Sequence, residues 1–233
     1  MYDTELIKEV RAELQLLGGH NAGFYESIIP NAKPILGVRM KDLRALAKRI
    51  AKSDYRRFLD GNPADIFELE MLQALVIGCA RDDIEILLDY FGKTVPLLHD
   101  WSVCDSLCQN FKIAQKRRAE VYAFISRYFA SKAEFEARTA AVMLLSHFLT
   151  DEYIDRALAV LDSLCTERYY ASMGAAWAVS AAAVKHPERT LAYLRSGACR
   201  LDKNTFNKSI QKICESYRIS PEYKETVKKL RRP

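Results

Sequence analysis

Residues 168–185 read RYYASMGAAWAVSAAAVK, and this stretch decides the architecture. It has no proline and is built mainly from alanine and other apolar residues, the composition of a long helix. Trp177 stands among Ala175, Ala176, Ala178 and Val179, neighbours small enough for another helix or a ligand to come close. Such a tryptophan belongs either to a core or to a binding surface. Arg138 lies 39 residues before it, in Glu136-Ala137-Arg138-Thr139-Ala140-Ala141-Val142, and Trp101 lies 37 residues before that, each in a mostly apolar, helix-patterned segment.

A helical period of roughly 40 residues is the mark of stacked helix pairs of the HEAT or armadillo kind. In such arrays, equivalent positions of successive repeats line up on one surface. The predicted fold class is therefore all-α: a HEAT-like or armadillo-type solenoid of antiparallel helix pairs, one domain over residues 1–233, with a concave basic groove. An indole, a guanidinium and a second indole would stand in a row there, with Asp105 one turn from Trp101. That row suits a ligand that is both anionic and ring-shaped.

The rest of the chain fits. Periodicity predicts helices at Asp3–Leu17, Ala22–Ile29, Met40–Lys52, Tyr55–Leu59, Ala64–Cys79, Asp83–Phe91 and Thr94–Phe111. It predicts more at Ala114–Ala130, Lys132–Leu149, Glu152–Leu164, Arg168–Lys185, Pro187–Arg195, Lys203–Tyr217 and Pro221–Leu230. Gly18-Gly19 and Gly61-Asn62-Pro63 punctuate them, and 30–34 reads as a loop. No alternating strand pattern occurs. With 49% hydrophobic and 28% charged residues the composition is that of a globular protein. No apolar run reaches membrane-spanning length. The polar start Met1-Tyr2-Asp3-Thr4-Glu5 lacks a secretory signal, so a cytoplasmic protein with reduced thiols is expected.

The net charge is only +5, but it is unevenly spread. Between Arg39 and Arg57 eight basic residues face Asp42 and Asp54, and from Leu201 to Pro233 nine face four acidic. Such stretches suit a polyanion, or are solvated outer faces. Cys79, Cys104, Cys108, Cys165, Cys199 and Cys214 read as small hydrophobes. Cys104 and Cys108 with His99 lack the paired spacing of a zinc site, so no metal is expected. No Gly-rich phosphate loop, dinucleotide fingerprint or HExxH occurs, and no cofactor is expected.

Val103, Cys104, Leu107, Cys108 and Phe111 form an apolar stripe, with Trp101 and Asp105 an i, i+4 pair at its edge. Asp105 is then either a carboxylate half-sheltered beside an indole, suited to meet a cation, or an ordinary acid in a first helical turn. Arg138 is either at the rim or a paired buried charge.

These segments together resemble the AlkD-like DNA glycosylases, the HEAT-like DNA alkylation repair family, over nearly the whole chain. The resemblance rests on Pro34-Ile35-Leu36-Gly37-Val38 followed by a basic helix with Arg44, then Trp101-Ser102-Val103-Cys104-Asp105-Ser106, Arg138-Thr139-Ala140-Ala141 and Ala175-Ala176-Trp177-Ala178-Val179. It implies a C-shaped solenoid on alkylated double-stranded DNA, monomeric and free of membranes. It implies excision of N3-methyladenine and N7-methylguanine through backbone contacts rather than a base pocket, in contrast to base-flipping enzymes. Asp105, Trp101 and Trp177 become the catalytic set, and Arg138, Tyr25 and Arg44 the DNA-contacting set.

The chemistry agrees. An alkylated purine is already cationic and leaves readily, while the deoxyribose gains oxocarbenium character. An indole face attracts a cation by about 0.5–2 kcal/mol, and a carboxylate adds to this where water is excluded. One position departs: Ser180, where active relatives often carry arginine. That leaves two alternatives, a DNA-binding relative without catalysis and a HEAT-type protein scaffold.

Overall fold

Two helices in the computed structural model are buried on nearly every side, and each organises one half of the chain. The structure describes residues 4–30, 33–197 and 199–233. Fourteen α-helices and no strand occur among them, and none of these helices is long and apolar enough to cross a membrane. The predicted helix start at Asp3 and the centre of the predicted 30–34 loop lie outside the described residues. The chain forms two compact units, Met1–Ile113 and Ala114–Pro233.

The first unit holds α1 (Thr4–Leu17), α2 (Ala22–Ile28), α3 (Met40–Ile50), α4 (Tyr55–Gly61), α5 (Phe67–Cys79), α6 (Ile84–Thr94) and α7 (Trp101–Asn110). Helix α5 buries Phe67, Leu69, Met71, Leu72, Leu75, Val76 and Ile77, which lie all round its axis. A helix without a polar face must lie between neighbours, and α5 packs against α3 on one side and α7 on the other. Each such side chain contributes roughly 1.5–3 kcal/mol. Helix α3 is instead one-sided: Leu43, Leu46, Ala47 and Ile50 face inward while its arginines and lysines stay outside.

The second unit holds α8 (Arg118–Ile125), α9 (Glu134–Met143), α10 (Ile154–Ser163), α11 (Tyr169–Lys185), α12 (Pro187–Arg195), α13 (Lys203–Glu215) and α14 (Pro221–Lys228). Here α11 takes the central place, between α9 and α13, with α10 and α12 in the other layer. Its alanines and Gly174 permit that closeness. Ser172 and Thr205 use it to bring their buried hydroxyls within 2.7 Å.

The repeat is shorter than the tryptophan and arginine spacing implied. Helices α5, α7, α9, α11 and α13 begin at Phe67, Trp101, Glu134, Tyr169 and Lys203, 33 to 35 residues apart. The longer spacing arises because Trp101, Arg138 and Trp177 are the first, fifth and ninth residues of their helices, one turn further along each time.

Several predicted helices are interrupted. The expected Thr94–Phe111 segment is a 3-10 turn at Val95–Leu97, a short extended stretch, and then α7. Asp100 sets that new start, because its Oδ1 accepts from the Ser102 and Val103 amides at 2.8 and 2.9 Å. Helix α8 stops at Ile125 and passes into a 3-10 turn, where Ser126 Oγ and Arg127 Nε donate to the Ala123 and Phe124 carbonyls. Helix α9 gives way after Met143 to a π-helical turn over Leu144–Phe148, and Arg118 Nε donates to the His147 carbonyl at 3.2 Å.

Candidate functional site

In the first unit, Trp101 opens α7 half-buried, and its indole N–H donates to the Ile28 carbonyl at 2.9 Å. Ile28 ends α2, a helix that buries none of its own side chains. The short helix is therefore held from outside: by Trp101, by Tyr25 against Phe67 at 5.7 Å between ring centroids, and by Asn21 N–H donating to the Gly37 carbonyl. Tyr25 lies one turn before Ile28 and is half-buried. With its N–H committed, Trp101 has only its ring surface left to offer.

Asp105 lies in the second turn of α7 and is 7% exposed, beside the fully buried Cys104, Leu107 and Cys108. The acid that serves the helix start is Asp100, so Asp105 is not a first-turn carboxylate. The cysteines are free thiols in the core. Arg44 projects from α3 into solvent.

The Pro34–Val38 segment is shaped by a residue that periodicity did not single out. Glu68 is fully buried and accepts from the amides of Leu36 (3.0 Å), Gly37 (2.8 Å) and Val38 (3.3 Å). Gly37 has φ +81°, and a Cβ there would stand 2.5 Å from the Ala22 nitrogen. Glu70, also buried, takes the Lys33 ammonium on Oε1 at 2.6 Å. Burial pushes the Glu70 carboxyl above its usual range, against the pull of Lys33 and His99. The only advance signal of both was their position inside the apolar run of α5.

In the second unit, Arg138 is 6% exposed, and its Nη1 donates to the Tyr170 carbonyl at 2.8 Å. The Tyr170 amide in turn donates to Glu134 Oε1 at 2.7 Å. The buried, partnered alternative thus describes Arg138, and the first turn of α11 is tied to α9 through it.

Trp177, one turn beyond Gly174, is half-buried. It lines a cleft of about 380 Å³ with Ser180, Lys185, Lys212, Tyr217 and Arg218. Glu215 is the acid among its lining residues. Burial and the charge of Arg218 hold the Lys185 ammonium below its ordinary pKa. Lys212 and Arg218 belong to the basic C-terminal stretch, but nothing in their spacing assigned them to Trp177. Ser180 is buried, and the cations of the cleft are Lys185 at the end of α11, Lys212 on α13 and Arg218 beyond it.

Each unit thus presents one half-exposed indole: one beside a buried acid, one among cations. No curated protein matches the chain. Its residues 10–213 match the family described as DNA alkylation repair enzyme, and with that span covering most of its length the chain belongs to that family.

Proposed function

We propose that this protein is a DNA glycosylase that hydrolyses the N-glycosidic bond of cationic alkylpurines, N3-methyladenine and N7-methylguanine, in duplex DNA. The observation that carries the reading is the fixing of Trp101. Its N–H is bound internally, its ring is half-exposed, and a buried carboxylate follows one turn later. A pre-set indole and a poorly hydrated carboxylate are suited to a cation that exists only as the bond breaks.

The leaving base carries its own positive charge, so no strong general acid is needed. As the C1′–N bond lengthens, positive charge moves onto the deoxyribose. The Trp101 face and the Asp105 carboxylate stabilise that charge, and Asp105 accepts a proton from the attacking water. Arg138 and the cations around Trp177 hold phosphates, giving register rather than sequence preference.

The test is release of N7-methylguanine from methylated duplex. Asp105→Asn should lose most of the rate while DNA affinity changes little. No release by the native protein at high enzyme concentration rejects glycosylase activity. The buried Ser180 favours a second reading, a relative that binds DNA without cleaving it. Binding unaffected by Asp105→Asn, with no base released, would establish that reading instead.

A further inference from the structure

Three unpartnered buried atoms meet where α5 packs against the start of α7. Glu70 Oε2, His99 Nε2 and Asp100 Oδ2 are each inaccessible to solvent and have no hydrogen-bond partner, and one potential ligand atom from each of the three residues lies within 4.8 Å of the others. Each residue has spent its other polar atom. Lys33 occupies Glu70 Oε1, and the Ser102 and Val103 amides occupy Asp100 Oδ1. His99 Nδ1 lies 3.3 Å from the Leu97 carbonyl, so the ring's other nitrogen is the one turned toward the carboxylates.

Two carboxylates held this close repel each other unless a proton or a metal cation lies between them. Two carboxylates face one ammonium, and a buried charge deficit of this kind is costly. The His99 Nε2 to Glu70 Oε2 distance is 3.5 Å, too long for a hydrogen bond. It matches the ~3.4 Å ligand-to-ligand edge of a tetrahedral site with metal bonds of about 2.1 Å. A backbone carbonyl on the far nitrogen is also how metal-binding histidines are oriented. Glu70 lines a neighbouring cavity of about 270 Å³, ample for a water to complete the coordination.

We propose that Glu70, His99 and Asp100 bind one divalent transition-metal ion, Zn²⁺ in preference to Mg²⁺ because of the imidazole. Such an ion departs from the expectation that no metal is involved. It clamps α5 to the N-terminus of α7, the helix that carries Trp101 and Asp105. Its role is to hold that helix start in place. The inference stands apart from the glycosylase reading, because the site is built from residues that reading does not use.

The test uses the metal-stripped full-length protein. Titration with Zn²⁺ should give one equivalent bound and a rise in Tm, with a weaker response to Mn²⁺ and none to Mg²⁺ at equal concentration. Substitution with Co²⁺ should give visible bands of a nitrogen–oxygen site, without the intense near-ultraviolet charge transfer of thiolate ligands. Glu70→Gln, His99→Gln and Asp100→Asn should each weaken binding by more than about 100-fold, beyond the loss typical of outer-shell changes. Asp100→Asn keeps the cap acceptor, and circular dichroism checks its fold. No uptake by the native chain overturns the proposal, as does a Co²⁺ spectrum with thiolate bands. So does a nuclear magnetic resonance titration showing His99 protonated at Nε2 and indifferent to Zn²⁺, which would assign the central cation to a proton.

Discussion

Arg138 passes so close to Gly174 that a Cβ at position 174 would stand 3.3 Å from its Cγ. The missing side chain on α11 leaves room for the aliphatic stem of Arg138 on α9, whose guanidinium donates to the Tyr170 carbonyl. Gly174→Ala should gain up to about 1 kcal/mol of helix propensity and return it through crowding of the Arg138 side chain. Tm should therefore stay close to native while DNA affinity falls. Thermal denaturation and fluorescence anisotropy on the same samples separate the two effects. An unchanged affinity would detach Arg138 from DNA.

Arg138→Ala should act on both stability and binding. It leaves the Tyr170 carbonyl without this donor, at about 1–3 kcal/mol. If Arg138 holds a phosphate, the slope of log affinity against log salt should fall by about one. A lower stability with an unaltered slope would make Arg138 purely architectural.

Trp101→Phe keeps an aromatic face and removes the donor to Ile28. Loss of that bond should cost about 1 kcal/mol. The loss should be concentrated in α2, seen as faster amide hydrogen exchange over Ala22–Ile28 with little change in α5. Equal exchange in α2 of native and variant protein would show that Tyr25 and Asn21 hold this helix alone.

Gly37→Ala forces a Cβ onto the Ala22 nitrogen at a positive φ. It should destabilise by more than about 1 kcal/mol, since the strain outweighs any entropic gain. Gly197→Ala is the control, because nothing lies within 4 Å of that added carbon. Urea titrations of the two variants should differ clearly in midpoint.

Asp82 accepts from the Tyr55 hydroxyl and from Arg56, and these bonds, with the Asp83 amide, hold its carboxyl at about 2 instead of 3.8. A depressed folded-state pKa gives stability that is fully present above about pH 4 and is lost as pH falls toward 2. Asp82→Asn should remove that part of the acid slope and leave the neutral-pH slope alone. Denaturation midpoints of native and variant protein across this range measure it.

Periodicity placed most of the helices, because the core pattern of α11 or α3 is local: the residues that bury lie on one face, or on all faces, of a single segment. Capping was harder to read. Trp101 looked interior to a helix until Asp100 turned back onto the amides after it, a decision made by one side-chain oxygen and invisible to hydrophobic averaging. The interval between tryptophans likewise mixed the helix repeat with a drift in register. Trp101, Asp105, Arg138 and Trp177 stood out in the sequence, but each was open to a core or structural role as well as a binding one. Lys185, Lys212 and Arg218 did not stand out, because charges on an exposed face look alike until a cleft gathers some of them.

The amino-acid sequence by itself determined the all-helical architecture and the family, since both follow from short-range pattern and residue identity. Only the tertiary structure decided the fates of Glu68 and Glu70. A glutamate within an apolar run reads as a solvated position until its partners are known. Those partners, the amides of residues 36–38, Lys33 and His99, lie about thirty residues away. Whether a carboxylate is buried, and what it then requires, depends on desolvation and on charges that only folding brings within reach.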